Sequence, residues 1–299
     1  MTMRMLLLGG TGQVGSEFLS LDRPRDVVVV APDPDELDLA RPDAIADAIA
    51  AGPWHAVVNA AAYTNVDRAE SERDLAFAIN AHAARILAGE TARRGIPLIH
   101  ISTDYVFDGR KGAPYVETDA TAPLNIYGQS KLAGEQGVAA ANPRHVILRT
   151  SWVYSPHGHN FVKTILRLVG EHERLAIVDD QHGCPTAARD VARACRDIAL
   201  LCAKTPADVP YGLYHSCGKG VITWCGFAKA IVEMASPHLP SVPEIVPIST
   251  ADYPTPAVRP RDTRLDCSAI VRRFTLSPRP WHEGLAETLD QLFPASQML

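Results

Sequence analysis

Met5-Leu6-Leu7-Leu8 runs directly into Gly9-Gly10-Thr11-Gly12-Gln13-Val14-Gly15. The glycines fit two registers, Gly9-x-x-Gly12-x-x-Gly15 and Gly10-x-Gly12-x-x-Gly15. After a buried strand and before a helix, such a loop lets backbone N–H groups approach a pyrophosphate at the helix N-terminus. The helix is expected to open over Gly12–Ser16 and run toward Leu21. A bare glycine-rich turn is the competing reading, and a lone match is weak evidence. Its place in a strand–loop–helix unit, at the first strand of the chain, favours a nucleotide.

The same alternation continues along the chain. Further apolar runs of strand length are Val27–Ala31, Ala56–Ala60, Leu98–Ser102, His145–Thr150 and Leu175–Val178. Helix-like segments lie between them: Pro42–Ala51, Asp74–Arg94, Ile126–Ala141 and Phe161–Gly170. Pro42 suits the first turn of its helix. Strands alternating with helices predict an α/β fold, a doubly wound parallel sheet of Rossmann type. Burial on both faces explains why the runs are continuous rather than alternating.

Past about residue 204 the pattern changes. Pro206–Tyr211 reads as a connection, and Ala251–Arg264 carries too many prolines for a helix or a central strand. The expected division is a dinucleotide-binding domain of 1–155 plus about 174–204. About 156–173 and 205–299 form a smaller α/β substrate lobe.

Composition narrows the partners. The chain has 299 residues, 46% of them hydrophobic, and a net charge of −5. That charge argues against a general nucleic-acid or anionic-membrane binder. The N-terminal apolar stretch is too short for a signal peptide, and no run approaches a membrane span. Six cysteines all fall in the second half with no C-x-x-C pair, which fits free thiols in a reducing cytoplasm. Nothing points to a zinc site.

In a doubly wound sheet, ligands bind beyond the carboxyl ends of the strands. The loops there are the glycine loop, Pro32–Leu39, Ala60–Thr64, Ser102–Tyr105 and Ser151–Tyr154. Tyr127 and Lys131, four apart, share one face of the helix Ile126–Ala141. A neighbouring ammonium favours phenolate and lowers a phenol's pKa from near 10. A hydroxyl from Ser102 or Thr103 completes such a site, although Tyr-x-x-x-Lys alone also occurs on ordinary helix surfaces.

Gly128 and Gly134, inside this helix, make sense if something approaches it closely. Each should cost about 1 kcal/mol relative to alanine. Asp38 reads evenly as an adenine contact or a helix lead-in acid. Trp152 reads first as core, second as a wall for a flat ligand. Arg259, Arg261 and Arg264 suit a diphosphate, and a solvated loop explains them as well. Cys184 beside His182 reads as structural. The second strand ends Val30-Ala31-Pro32, without the acid that grips the ribose of NAD and without an arginine for a 2′-phosphate. Both nicotinamides stay open.

With these residues in view, the chain resembles the extended short-chain dehydrogenase/reductase superfamily. Within it, the chain is similar to the dTDP-4-dehydrorhamnose reductase family. The resemblance rests on GGTGQVG (9–15), VNAAAYTNVDRAE (58–70), STDYVFDG (102–109) and ETDATAPLNIYGQSKLAGE (117–135). It continues through RTSWVY (149–154), NFVKTILRL (160–168), DDQHGCPT (179–186) and YPTPAVRP (253–260). The last motif lies in the substrate lobe.

The resemblance implies roles by position. Tyr127 matches the proton donor, Lys131 its partner and Thr103 the supporting hydroxyl. Gly9, Gly12, Gln13, Val14 and Gly15 match the cofactor phosphate loop, and Asp38 and Leu39 the adenine contacts. Ala62, Tyr63 and Thr64 match the cofactor-lining loop, where the family often has histidine in place of Tyr63. Thr103, Asp104 and Trp152 match sugar-nucleotide contacts, with Arg259 as a candidate diphosphate ligand. Some members resemble magnesium-linked dimers. Here Glu17 fits the first acidic position, but Arg189 and Gln291 stand at the other two, so no metal is expected and a homodimer stays open.

The resemblance thus implies a cytoplasmic enzyme that uses NADPH, with NADH possible, to reduce the 4-keto group of dTDP-4-dehydro-L-rhamnose. The alternatives are another sugar-nucleotide epimerase or dehydratase of the superfamily, or a non-catalytic regulatory subunit on this fold.

Overall fold

Six strands pair in parallel: β1 (Met3–Leu8), β2 (Val27–Val30), β3 (Ala56–Asn59), β4 (Leu98–Thr103), β5 (His145–Thr150) and β6 (Gly212–His215). Their order across the sheet is β6-β5-β4-β3-β1-β2. The structure, a computed structural model, describes residues 2–294. Because β1 has β2 on one side and β3 on the other, the winding reverses between them. A crevice opens there beyond the carboxyl ends.

Both faces are covered, as the continuous apolar runs require. Side chains alternate across a strand, so Met5 and Leu7 pack on one face with Val14, Phe18, Val191 and Ile198. Leu6 and Leu8 pack on the other with Ile45, Ile49 and Leu87. A separate apolar cluster, which includes Val162, Ile165, Phe227, Ile231 and Leu285, forms the centre of the second region.

Two strand assignments differ from the sequence reading. Leu175 and its neighbours form the strand Arg174–Val178, which leaves the main sheet to pair in parallel with Glu244–Ile248. The sixth place in the sheet belongs to β6, whose Tyr214 and His215 are buried. A run of four or five apolar residues marks a strand but does not name its partner. The segment Asp74–Arg94 also differs: Arg73–Phe77 and Ala84–Arg93 are joined by a π-helical turn, Ala78–Ala83. The helix Ile126–Ala141 has the expected bounds. Among the described residues, no helix is long and apolar enough to cross a membrane.

Candidate active site

The glycine loop leaves β1 at the crevice. Gly9 has φ +80°, where L side chains are strained, and a Cβ there would lie 2.6 Å from the Ala61 nitrogen. A Cβ on Gly15 would lie 2.0 Å from the Gly9 carbonyl oxygen. The loop therefore folds tightly against both β3's exit and its own helix. Beyond it lies a cavity of about 630 Å³ whose lining includes Gly9, Gly12, Gln13, Val14, Ala62 and Thr64. Thr103, Asp104, Tyr127, Lys131 and Trp152 line the same cavity. A smaller hollow of about 230 Å³ shares Gly9, Ala61 and Ala62 with it and contains Asp38 and Leu39.

These surfaces suit a dinucleotide. The glycine loop puts Gly9, Gly12, Gln13 and Val14 on the wall of the cavity at the start of the helix. Ser102 Oγ and Thr150 Oγ1, on the cavity wall, are buried without hydrogen-bond partners, ready for ligand hydroxyls. Tyr63 does not join the cavity wall. Its hydroxyl donates to Glu72, while its backbone N–H donates to Asn80 Oδ1 at 2.8 Å.

Asn80 was not anticipated. It sits in the π-helical turn, and its amide also donates to the Tyr63 carbonyl (3.0 Å) and to Ser130 Oγ (2.9 Å). One buried side chain thus joins the Ala60–Thr64 loop to the helix carrying Tyr127 and Lys131.

That helix is fixed from both ends. Asn125 caps it by accepting from the Gly128 N–H at 2.8 Å. Gly128 and Gly134 are where other backbone presses in: Cβ atoms there would lie 2.3 Å from the Tyr105 carbonyl oxygen and 2.1 Å from that of Asn80. Glu135 accepts two hydrogen bonds from Arg149 on β5, at 2.8 and 2.6 Å, with both side chains only 4% exposed.

The phenol does not behave as the four-residue spacing suggests. Lys131 donates to the Ile101 carbonyl at 2.7 Å, and burial lowers its pKa to about 8. Burial pushes Tyr127 up to about 12, with the Thr103 hydroxyl acting to lower it and the Asp104 charge to raise it. Desolvation is therefore the dominant influence on the phenol, and the Lys131 ammonium is engaged by a backbone carbonyl instead. Thr103 Oγ1 donates to Asp104 Oδ1 at 3.1 Å and accepts from the Tyr105 N–H at 3.2 Å. Asp104 is 2% exposed, and burial raises its pKa to about 7.

Trp152 has φ +46°, the left-handed region that a bulky residue seldom adopts. Its indole stacks on Trp224 with centroids 3.4 Å apart, and a Cβ at Gly183 would lie 2.3 Å from its Cε2. It lines the cavity and at the same time packs against the apolar cluster of the second region. Trp224, which no spacing could single out, lines a second cavity of about 560 Å³ with Phe161, Gln181 and Arg259. The two indoles form the partition between the cavities.

Arg259 lies away from the glycine loop and is held by both carboxylate oxygens of Asp67, at 3.0 and 2.7 Å. Arg264 pairs with Asp262, and Arg261 lies 3.9 Å from Asp180. The expected basic cluster is therefore three separate ion pairs. Arg189 likewise reaches Glu17 at 3.0 Å and Glu287 at 2.9 Å, placing the protein's own cation beside Glu17.

Fold and site together define a class: an NAD(P)-dependent oxidoreductase of the short-chain dehydrogenase/reductase type, with Tyr127, Lys131 and Thr103 beside a glycine-cradled cleft. Residues 3–293 match the family described as the RmlD substrate binding domain. A dTDP-4-dehydrorhamnose reductase of Sinorhizobium fredii is 43% identical over 283 residues, 94% of this chain and 95% of that protein. The enzyme of that name from Escherichia coli K12 is 40% identical, covering 97% and 98%. A Bacillus anthracis dTDP-4-dehydrorhamnose reductase solved in complex with NADP has a TM-score of 0.90 at 34% identity, covering 97% of this chain and 100% of that one. A dTDP-glucose 4,6-dehydratase from Streptomyces venezuelae shares the fold, with a TM-score of 0.75 at 18% identity. The chain belongs to the dTDP-4-dehydrorhamnose reductase family.

Proposed function

We propose that this chain reduces the 4-keto group of dTDP-4-dehydro-L-rhamnose to give dTDP-L-rhamnose, using NADPH, with NADH as the alternative donor. The observation that carries the reading is one cavity lined both by the glycine loop and by Thr103, Tyr127 and Lys131. The dinucleotide-binding domain, 1–155 plus about 174–204, holds the cofactor, with its pyrophosphate at Gly12–Val14 and its adenine end against Asp38 and Leu39. When bound, the reduced nicotinamide supplies the hydride.

The chain's own groups handle the proton. Tyr127 gives its phenolic proton to the oxygen of the former ketone, and Thr103 hydrogen-bonds the same oxygen. Lys131 holds the nicotinamide ribose and, once turned toward the phenol, lowers its pKa. Asp104 and Trp152 position the sugar. The described residues of the smaller lobe, about 156–173 and 205–294, shape the cavity for the rest of the sugar nucleotide, where the Asp67–Arg259 pair forms part of the wall. The proposed setting is the cytoplasm.

Purified protein given dTDP-4-dehydro-L-rhamnose should oxidise NADPH stoichiometrically, whereas an epimerase or dehydratase would recycle its cofactor. Tyr127→Phe should lower kcat about 10²- to 10⁴-fold with little change in KM, the range general acid catalysis typically supplies. Near-normal turnover in that variant would remove Tyr127 as the acid.

A further inference from the structure

The loop 253–260 supplies Tyr253, Thr255 and Arg259 to the wall of the second cavity. Pro254, Pro256 and Pro260 have no N–H to donate. Among the described residues, none of 254–260 makes a backbone–backbone hydrogen bond. The path of this loop is therefore fixed by side chains, two of which come from other elements. Asp67 accepts from the Ala257 N–H at 3.2 Å and holds the Arg259 guanidinium at 2.7 Å. Asn125 Nδ2 donates to the Val258 carbonyl at 2.8 Å. The Val258 side chain is 61% exposed, so its carbonyl, not apolar packing, anchors that residue.

Asn125 is itself 3% exposed and uses both ends of its amide. While Nδ2 holds the loop, Oδ1 accepts from the Gly128 N–H at 2.8 Å and caps the helix that carries Tyr127 and Lys131. Glu70 closes the triangle. It ends the short helical segment that also carries Asp67, and it accepts from the Ile126 N–H at 2.9 Å. The loop, that segment and the first turn of the long helix are thus tied to one another by side chains alone.

We propose that Asn125 is a positioning residue for the sugar nucleotide. Its Nδ2 holds the loop 253–260 in the form that presents Tyr253, Thr255 and Arg259 to the ligand. Its Oδ1 refers that form to the helix bearing the proton donor. The proposal rests on the reductase reading and adds a residue that lines neither cavity. A ligand that binds one form of a loop has an apparent Kd that rises as the fraction in that form falls. Nδ2 sets that fraction, and Oδ1 sets the start of the helix. Because the two duties fall on different atoms, a one-atom change separates them.

Asn125→Asp is that change. It keeps an oxygen for the Gly128 N–H, and aspartate caps helices as well as asparagine does. At about pH 8 the carboxylate has no proton to donate, so an acceptor faces the Val258 carbonyl. The experiment compares native and variant proteins by steady-state NADPH oxidation, and by calorimetric titration with dTDP and with NADPH separately. In Asn125→Asp, KM for dTDP-4-dehydro-L-rhamnose and Kd for dTDP should both rise about tenfold, as loss of one buried hydrogen bond supplies. The kcat should stay within about twofold, and Kd for NADPH should not move. Asn125→Ala, which loses the cap as well, should show the same rise together with a lower Tm.

Asn125→Ser keeps a cap but has one hydroxyl for two partners, so it carries the same reading if Asn125→Asp does not fold. Unchanged KM and dTDP affinity in either folded variant overturn the clamp. A fall in kcat with weakened NADPH binding and normal dTDP binding also overturns it, because Asn125 is then a helix cap and nothing more. Native protein that binds dTDP without oxidising NADPH would refute the reductase reading, and the dTDP titrations would still decide the clamp. Native protein that binds no dTDP would overturn both.

Discussion

A methyl group at position 134 would lie 2.1 Å from the Asn80 carbonyl oxygen, whereas one at position 89 would meet nothing within 4 Å. Both glycines are inside helices, so helix propensity alone favours alanine at each by about 1 kcal/mol. Packing reverses the sign at one of them. Gly134→Ala should destabilise the protein by about 1–3 kcal/mol, and Gly89→Ala should stabilise it by about 0.5–1 kcal/mol. Urea midpoints of the two variants would show the opposite shifts. The sequence reading found Gly134 conspicuous and proposed a close approach, but Asn80 as the approaching group was not legible. Fifty-four residues separate the two, and Asn80 lies in a π-helical turn that packs against the helix of Gly134.

Elements are held in register by polar groups as much as by apolar faces. The helix Ile126–Ala141 hangs from β5 through the buried Arg149–Glu135 pair, and the Arg149 guanidinium also lies over the Phe107 ring at 5.0 Å. Removing one partner leaves an uncompensated buried charge. Glu135→Ala should therefore lose about 3–5 kcal/mol of stability, and Glu135→Leu with Arg149→Met should recover most of that loss. A double-mutant cycle by chemical denaturation measures it. The helix itself was legible end to end, with the bounds Ile126–Ala141 that the sequence reading gave it. β6 was not, since nothing within Gly212–His215 states that it completes a sheet begun two hundred residues earlier.

The molecule as a whole carries a pH dependence set by three buried groups. Burial holds His100 well below its usual 6.5 and lowers His215 to about 3. Between pH 6 and 5 the unfolded chain protonates both histidines while the folded chain protonates neither, so each costs stability as pH falls. Asp104 acts in reverse: raised from 3.8 to about 7, it holds a proton when folded and not when unfolded. Unfolding therefore takes up two protons and releases one. Stability should fall by about 1.4 kcal/mol per pH unit on acidification across that window. In Asp104→Asn the offset is gone, and the slope should double to about 2.7 kcal/mol per unit. Denaturation curves at pH 6 and pH 5 would show it, and equal slopes in the two proteins would refute a raised Asp104 pKa.

By itself the sequence determined what depends on neighbours a few residues away. The strand-and-glycine loop, the capped helix with Tyr127 and Lys131 on one face, and the alternation that builds a doubly wound sheet are all of this kind. They follow from backbone conformation and side-chain period, which a short stretch of chain specifies. Tertiary structure decided what those residues experience. It turned Lys131 to a backbone carbonyl, raised the Tyr127 phenol by burial instead of lowering it, and turned Tyr63 toward Glu72. It also split the three arginines among Asp67, Asp180 and Asp262, and buried Asp104 beside Thr103. Desolvation and charge pairing depend on groups brought together from distant parts of the chain, and no local pattern encodes them.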